Sequence, residues 1–142
     1  MQTAETVRST PIKRGTCLIV EDNIFDSEKL SRVVEKTRCK MQVEIASTLH
    51  RAREKLRRNR PALILLDNNL PDGLGADFAI ELSREQHHAG IPIIMVSDWP
   101  SPFMWEKAAA AGVRYVTSKT EFDGRYVRAA LQQVGAETES KT

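Results

Sequence analysis

Residues Leu63 to Gly75 read LILLDNNLPDGLG: four apolar residues end on a carboxylate and pass at once into a turn signal. The apolar run is continuous rather than alternating, which predicts a strand covered on both faces. Pro71, Asp72 and Gly73 punctuate the loop that follows. Burying a charge is costly unless something pairs it, so Asp67 is expected at a rim, near a cation supplied from elsewhere in the chain.

Outward from this stretch, similar runs recur. They are Thr16–Val20 (TCLIV), Met41–Ala46 (MQVEIA), Ala62–Leu66 (ALILL), Ile91–Val96 (IPIIMV) and Val113–Thr117 (VRYVT). The first, third and fourth are apolar throughout and are expected at the centre of a sheet; the second and fifth carry polar residues and are expected nearer its edges. Helix-period stripes lie between them: Phe25, Leu30, Val33 and Val34; Leu49, Ala52 and Leu56; Phe78, Ala79 and Leu82; and Val127, Ala130, Leu131 and Val134. A fourth helix is predicted over Ser101–Ala111, opened by Pro102 and closed by Gly112. Five β-α units in strict alternation predict an α/β protein with a parallel, doubly wound sheet.

At 142 residues and 41% hydrophobic content the chain suits one domain, over residues 15–135. Residues 1–14 lack periodicity and are expected to form a flexible arm, and 136–142 a matching tail. The net charge of +2 is uneven: the first sixty residues carry 14 Lys/Arg against 8 Asp/Glu. That asymmetry suggests a docking face rather than a generally basic protein. Two lone cysteines, Cys17 and Cys39, fit a reducing cytoplasm, and no apolar run is long enough to cross a bilayer.

Open parallel sheets bind ligands beyond the carboxyl ends of their strands. After the first run stand Glu21 and Asp22, after the third Asp67, after the fourth Ser97 and after the fifth Lys119. Three converging acids repel one another and raise their own pKa values unless a cation shares the site. Oxygen ligands of this kind suit a hard divalent ion, with Mg2+ the leading candidate. As a lone residue Asp67 reads equally as a turn or helix-capping carboxylate; the company of Glu21, Asp22 and Lys119 favours chemistry.

The order strand-Glu21-Asp22, then Asp67 with Pro71 and Gly75 at four-residue steps, then strand-Ser97, then strand-Ser118-Lys119 resembles the receiver domain of two-component response regulators. The resemblance covers about residues 15–135. It implies a flavodoxin-like (βα)5 fold with strand order 2-1-3-4-5. It also implies that Asp67 accepts a phosphoryl group, with Asp22 a direct ligand of Mg2+, Glu21 a ligand through water and Asn69 one through its main-chain carbonyl. Ser97 and Lys119 then hold the phosphoryl oxygens. The partners implied are a sensor histidine kinase or histidine phosphotransfer protein and a downstream protein target, with no nucleic acid bound directly and no membrane. Only 23 residues follow Lys119, so the expectation is a stand-alone receiver that catalyses only its own phosphorylation and dephosphorylation.

The pattern is broken in places. Asp98 stands where a small residue is usual, and Thr120 where proline forms a cis bond. The usual switching aromatic position is Val116, with Tyr115 on the opposite strand face. Asn69 and Trp99 hold positions that in this family influence phosphoryl lifetime. These departures motivate a second reading, a receiver-like adaptor that works without phosphorylation. A third, an aspartate-nucleophile hydrolase of the haloacid dehalogenase type, expects a second Asp where Asn69 stands and is set aside.

Of the remaining features, the basic run His50–Arg60 reads as a solvated helix face around its apolar stripe. His87 and His88 are expected at the end of the third helix, where cations suit the dipole. Trp99–Trp105 (WPSPFMW) holds more aromatic surface than one turn buries easily, so Phe103, Met104, Trp105 and Tyr115 are the expected partner surface.

Overall fold

The computed structural model describes residues 15–140, with side chains through Gln132. The chain runs β1 (Thr16–Val20), α1 (Ile24–Lys36), β2 (Gln42–Ala46), α2 (Leu49–Arg58) and β3 (Leu63–Leu66). A two-stranded ribbon follows, β4 (Asn69–Leu70) and β5 (Gly73–Leu74). Then come α3 (Gly75–Ser83), β6 (Ile93–Val96), α4 (Pro102–Ala110), β7 (Tyr115–Thr117) and α5 (Gly124–Ser140). The main sheet is parallel in the order β2-β1-β3-β6-β7. Setting aside the ribbon, which pairs only with itself, this is the expected order, with β2 and β7 at the edges.

Alternation along the three central strands divides the core into two layers. Leu18, Val20, Ile64, Leu66, Ile93 and Met95 pack under α2, α3 and α4 with Leu56, Phe78, Leu82 and Met104. Cys17, Ile19, Leu63, Leu65, Ile94 and Val96 face α1 and α5 with Leu30, Val34, Val127 and Ala130. Each such side chain taken fully from water contributes roughly 1.5–3 kcal/mol. All four residues of β3 and of β6 are buried, as continuous apolar runs require in a doubly covered sheet.

Three expectations are corrected. Phe25 is 83% exposed and does not share the buried stripe of α1, which runs through Ser27, Leu30 and Val34. Two residues from Ser27, it stands about 200° around the helix. Met104 is core, at 2% exposure, because a helix capped by Ser101 turns Met104 and Ala108 inward together. The third helix ends at Ser83, so His87 and His88 lie in the turns beyond it; the His88 ring meets Glu85 Oε2 at 2.9 Å instead of closing the helix.

The expected arm, residues 1–14, lies outside the described residues, as do Thr142 and Lys141 of the expected tail. The last helix continues through Ser140, past the expected boundary, and the Val134 side chain is outside the described set. Among the described residues no helix is long and apolar enough to cross a membrane.

Candidate functional site

The carboxyl ends of β1, β3 and β6 each carry one polar residue whose backbone extends the sheet by one bond. Glu21 N–H donates to Ala46 O at 3.0 Å, Asp67 N–H to Val20 O at 3.0 Å and Ser97 N–H to Thr117 O at 3.0 Å. These three side chains thus stand on the last rung of the sheet. Glu21, Asp67 and Ser97 are all buried, whereas Asp22 is exposed.

The stretch after β3 explains its own turn residues. Asn68 O accepts from Gly75 N–H at 2.8 Å and Asn68 Oδ1 from Ala76 N–H at 2.9 Å, so Asn68 caps α3 while its own N–H donates to Asp67 Oδ1 at 2.8 Å. A β carbon on Gly75 would stand 2.9 Å from the Asp67 carbonyl carbon, so glycine is needed there for close approach. At the ribbon's turn, Asp72 accepts from Leu49 N–H and His50 N–H, both at 2.9 Å, and so ties the loop to the start of α2.

Lys119 reaches the rim from beyond β7. Its Nζ lies 2.7 Å from Asp26 Oδ2, 2.9 Å from Glu21 Oε1, 3.7 Å from Asp67 Oδ2 and 3.8 Å from Asp98 Oδ2. Asp98 therefore stands within an ion pair's reach of Lys119. Burial raises the Glu21 carboxyl to about 7, against the adjacent Lys119 ammonium and the Asn23 N–H hydrogen bond that lower it and with nearby Asp67 adding to the rise. Burial likewise raises Asp67, opposed by the Lys119 charge and the backbone N–H groups of Asn68 and Asn69. Burial works against the Lys119 charge too, yet the hydrogen bond to Asp26 and the adjacent Glu21 carboxylate carry its ammonium well above the ordinary lysine range.

Glu21, Asp22 and Asp67 each present an oxygen, all within 4.8 Å of one another. An all-carboxylate set of that size suits a hard divalent cation. Two buried oxygens fit the same reading: Glu21 Oε1, whose Lys119 contact is an ion pair without hydrogen-bond alignment, and Ser97 Oγ lack a hydrogen-bond partner among the described residues.

The structure therefore gathers Glu21, Asp22, Asp67, Asp98 and Lys119 at one rim, and Ser97 stands on the last rung of the same sheet. Asn69 opens β4 and is exposed. Among the described residues no peptide is cis, so Lys119–Thr120 is trans, as expected where Thr replaces proline. Val116 packs with the α2-α3-α4 layer and Tyr115 with the α1-α5 layer, its ring edge-on to Tyr126 at 5.6 Å, so the two do lie on opposite faces. Trp99 (84% exposed), Phe103 (75%) and Trp105 (51%) remain as surface aromatics. Sequence reasoning missed Asp26, Asn68 and Asp72. The signal for Asp26 was present: in EDNIFD it falls one helical turn beyond Asp22, at the start of α1.

A doubly wound parallel sheet with acids, a hydroxyl and an ammonium gathered where its strand order reverses defines a class of protein that works at its sheet rim. The chain belongs to the response regulator receiver domain family, whose match covers residues 17–132. Transcriptional regulatory protein CitB of Klebsiella pneumoniae is 40% identical over 83 residues, which are 58% of this chain and 35% of that protein. The match spans about a third of the length of such curated relatives. Among solved structures, a CheY-like receiver domain protein from Methanospirillum hungatei JF-1 superposes with TM-score 0.74 at 23% identity, over 90% of this chain and 98% of its own. The Mn2+-bound form of response regulator Rcp1 gives 0.69 at 21% identity, over 84% of this chain and 88% of its own. At these identities the likeness concerns the fold.

Proposed function

We propose that this receiver domain takes a phosphoryl group on Asp67 from a phosphohistidine of a sensor histidine kinase or histidine phosphotransfer protein, and signals through contact with another protein. The carrying observation is the meeting of Asp67 with Lys119, 3.7 Å away, beside Glu21 and Asp22. Phosphoryl transfer needs positioning and charge neutralisation more than covalent chemistry from the protein. An Asp67 carboxylate oxygen attacks phosphorus in line, the phosphorus–nitrogen bond breaks, and its electron pair returns to the imidazole. An acyl phosphate is left on Asp67. Lys119 offsets the charge on the equatorial oxygens, and Ser97 Oγ, buried and without a hydrogen-bond partner among the described residues, donates to one of them in this reading.

Glu21, Asp22 and Asp67 are the side chains that would hold Mg2+, with the Asn69 carbonyl as a further ligand. When bound, the ion supplies neutralisation of the acid cluster and of the transferring group. Response regulator Rcp1, which shares the fold, has a Mn2+-bound form, and this supports a divalent ion in the present reading. In this reading the chain acts on itself alone, catalysing its own phosphorylation and dephosphorylation, and its place is the cytoplasm. CitB is a transcriptional regulatory protein, so gene expression is one downstream output of this reading, and binding a protein target or relaying the phosphoryl group is the other.

The test is incubation with Mg2+ and a small phosphodonor, read by intact mass. The wild type is expected to gain one phosphoryl group and Asp67→Asn none. An unchanged wild-type mass would favour the adaptor reading instead.

A further inference from the structure

Phosphoryl acceptance does not account for the closest contact that Lys119 makes. An ammonium has three donors, and two of its four acidic neighbours, Asp26 at 2.7 Å and Glu21 at 2.9 Å, lie within hydrogen-bonding distance; Asp67 at 3.7 Å does not. Asp26 is independently anchored. Its N–H donates to Asn23 Oδ1 at 2.9 Å in the capped first turn of α1, where the helix dipole favours a carboxylate. Its side chain is only 32% exposed, and the contact joins residues 93 positions apart.

We propose that Asp26 is a positioning residue that holds Lys119 in reserve, away from Asp67, and thereby sets how readily the rim accepts an anionic group there; this rests on Asp67 being the phosphoacceptor. A phosphoryl group brings close to two negative charges and calls on the same ammonium. Acceptance then becomes an exchange in which the Asp26 contact must be given up or shared. Whatever that contact contributes in the resting state is subtracted from the loaded one. Asp98 competes too, but less, since it is farther away and 54% exposed.

The experiment is a beryllofluoride titration of the full chain with saturating Mg2+, followed by tryptophan fluorescence. Asp26→Asn is expected to half-saturate at about fivefold lower beryllofluoride than the wild type. Asp26→Glu, which keeps the charge, is expected to stay near wild type, Asp98→Asn to shift less than Asp26→Asn, and Asp67→Asn to show no saturation. Asp98→Asn removes the same charge from the rim, so equal shifts in the two would mean a general field effect and would overturn the inference. A second readout needs neither metal nor anion: the Lys119 ammonium NMR signal, slowed in exchange by its partners, is expected in the wild type and Asp26→Glu and lost in Asp26→Asn. Retention of that signal in Asp26→Asn, or affinity no tighter than wild type, overturns the reserve role while leaving Asp67 as acceptor. Failure of the wild type to saturate overturns both. If Asp26→Asn does not fold, Asp26→Ser carries the same comparison.

Discussion

Asp67 and Asp72 stand five residues apart in one loop, and the fold perturbs their carboxyls in opposite directions. Asp67 closes a buried strand, where loss of water raises its pKa against the pull of Lys119. Asp72 sits in solvent at the ribbon's turn, where the Leu49 and His50 N–H groups at the start of α2 hold it below the ordinary range. The first is kept in an environment that its charged form dislikes, as suits a group awaiting a cation or a phosphoryl transfer. The second is a structural tie. Residue type is the same; burial and the direction of nearby N–H dipoles decide the role.

The largest expected effect removes the geometry on which the contrast depends. Gly75→Ala places a β carbon against the Asp67 carbonyl, so backbone must move, at a cost of about 2–3 kcal/mol in urea denaturation and with loss of phosphoryl acceptance. A fully stable, phosphorylatable Gly75→Ala would show that the close approach is not needed.

pH separates the two regions next. Glu21 and Asp67 bind protons more tightly in the folded state, so their contribution to stability is complete below the ordinary carboxylate range and is lost as pH rises above it, for Glu21 through about 7. Asp72 behaves oppositely: its contribution is present above the ordinary range and disappears as pH falls below it. Without divalent ions the urea midpoint is expected to decline between pH 5 and 8. Saturating Mg2+ should flatten that slope, since an ion that binds the ionised acids favours the folded state. A metal-free midpoint that rises over this interval would contradict the assignment.

The smallest effects come from neutral isosteres at pH 7.5 without metal. Asp67→Asn removes a buried charge from an acidic cluster and is expected to stabilise by on the order of 1 kcal/mol. Asp72→Asn gives up one of two carboxylate acceptors at the start of α2 and is expected to lower the midpoint slightly. Shifts of the same sign in both would erase the distinction.

The Asp67 side of this contrast is legible in the sequence, whereas the Asp72 tie to the start of α2 is not. Continuous apolar runs marked β1, β3 and β6 as central because a strand covered on both faces has no polar side to show. The residue after each run then had to lie at the rim, which located Glu21, Asp67 and Ser97. Helix faces were read less well. Apolar character groups Phe25 with Leu30, but the phase of Ser27, Leu30 and Val34 excludes it, and Met104, grouped by sequence with exposed aromatics, is turned inward by the Ser101 cap.

Period and turn chemistry act over a few residues, so the sequence by itself determined the alternation of strands and helices and which polar groups end the strands. It carried no measure of separation between elements far apart in the chain. Only the tertiary structure decided that Lys119 rests 2.7 Å from Asp26 and 3.7 Å from Asp67. Those distances follow from how α1 and the loop after β7 pack against the sheet. Electrostatic effects fall away steeply enough with distance and solvent screening that an ångström decides which acid holds the ammonium.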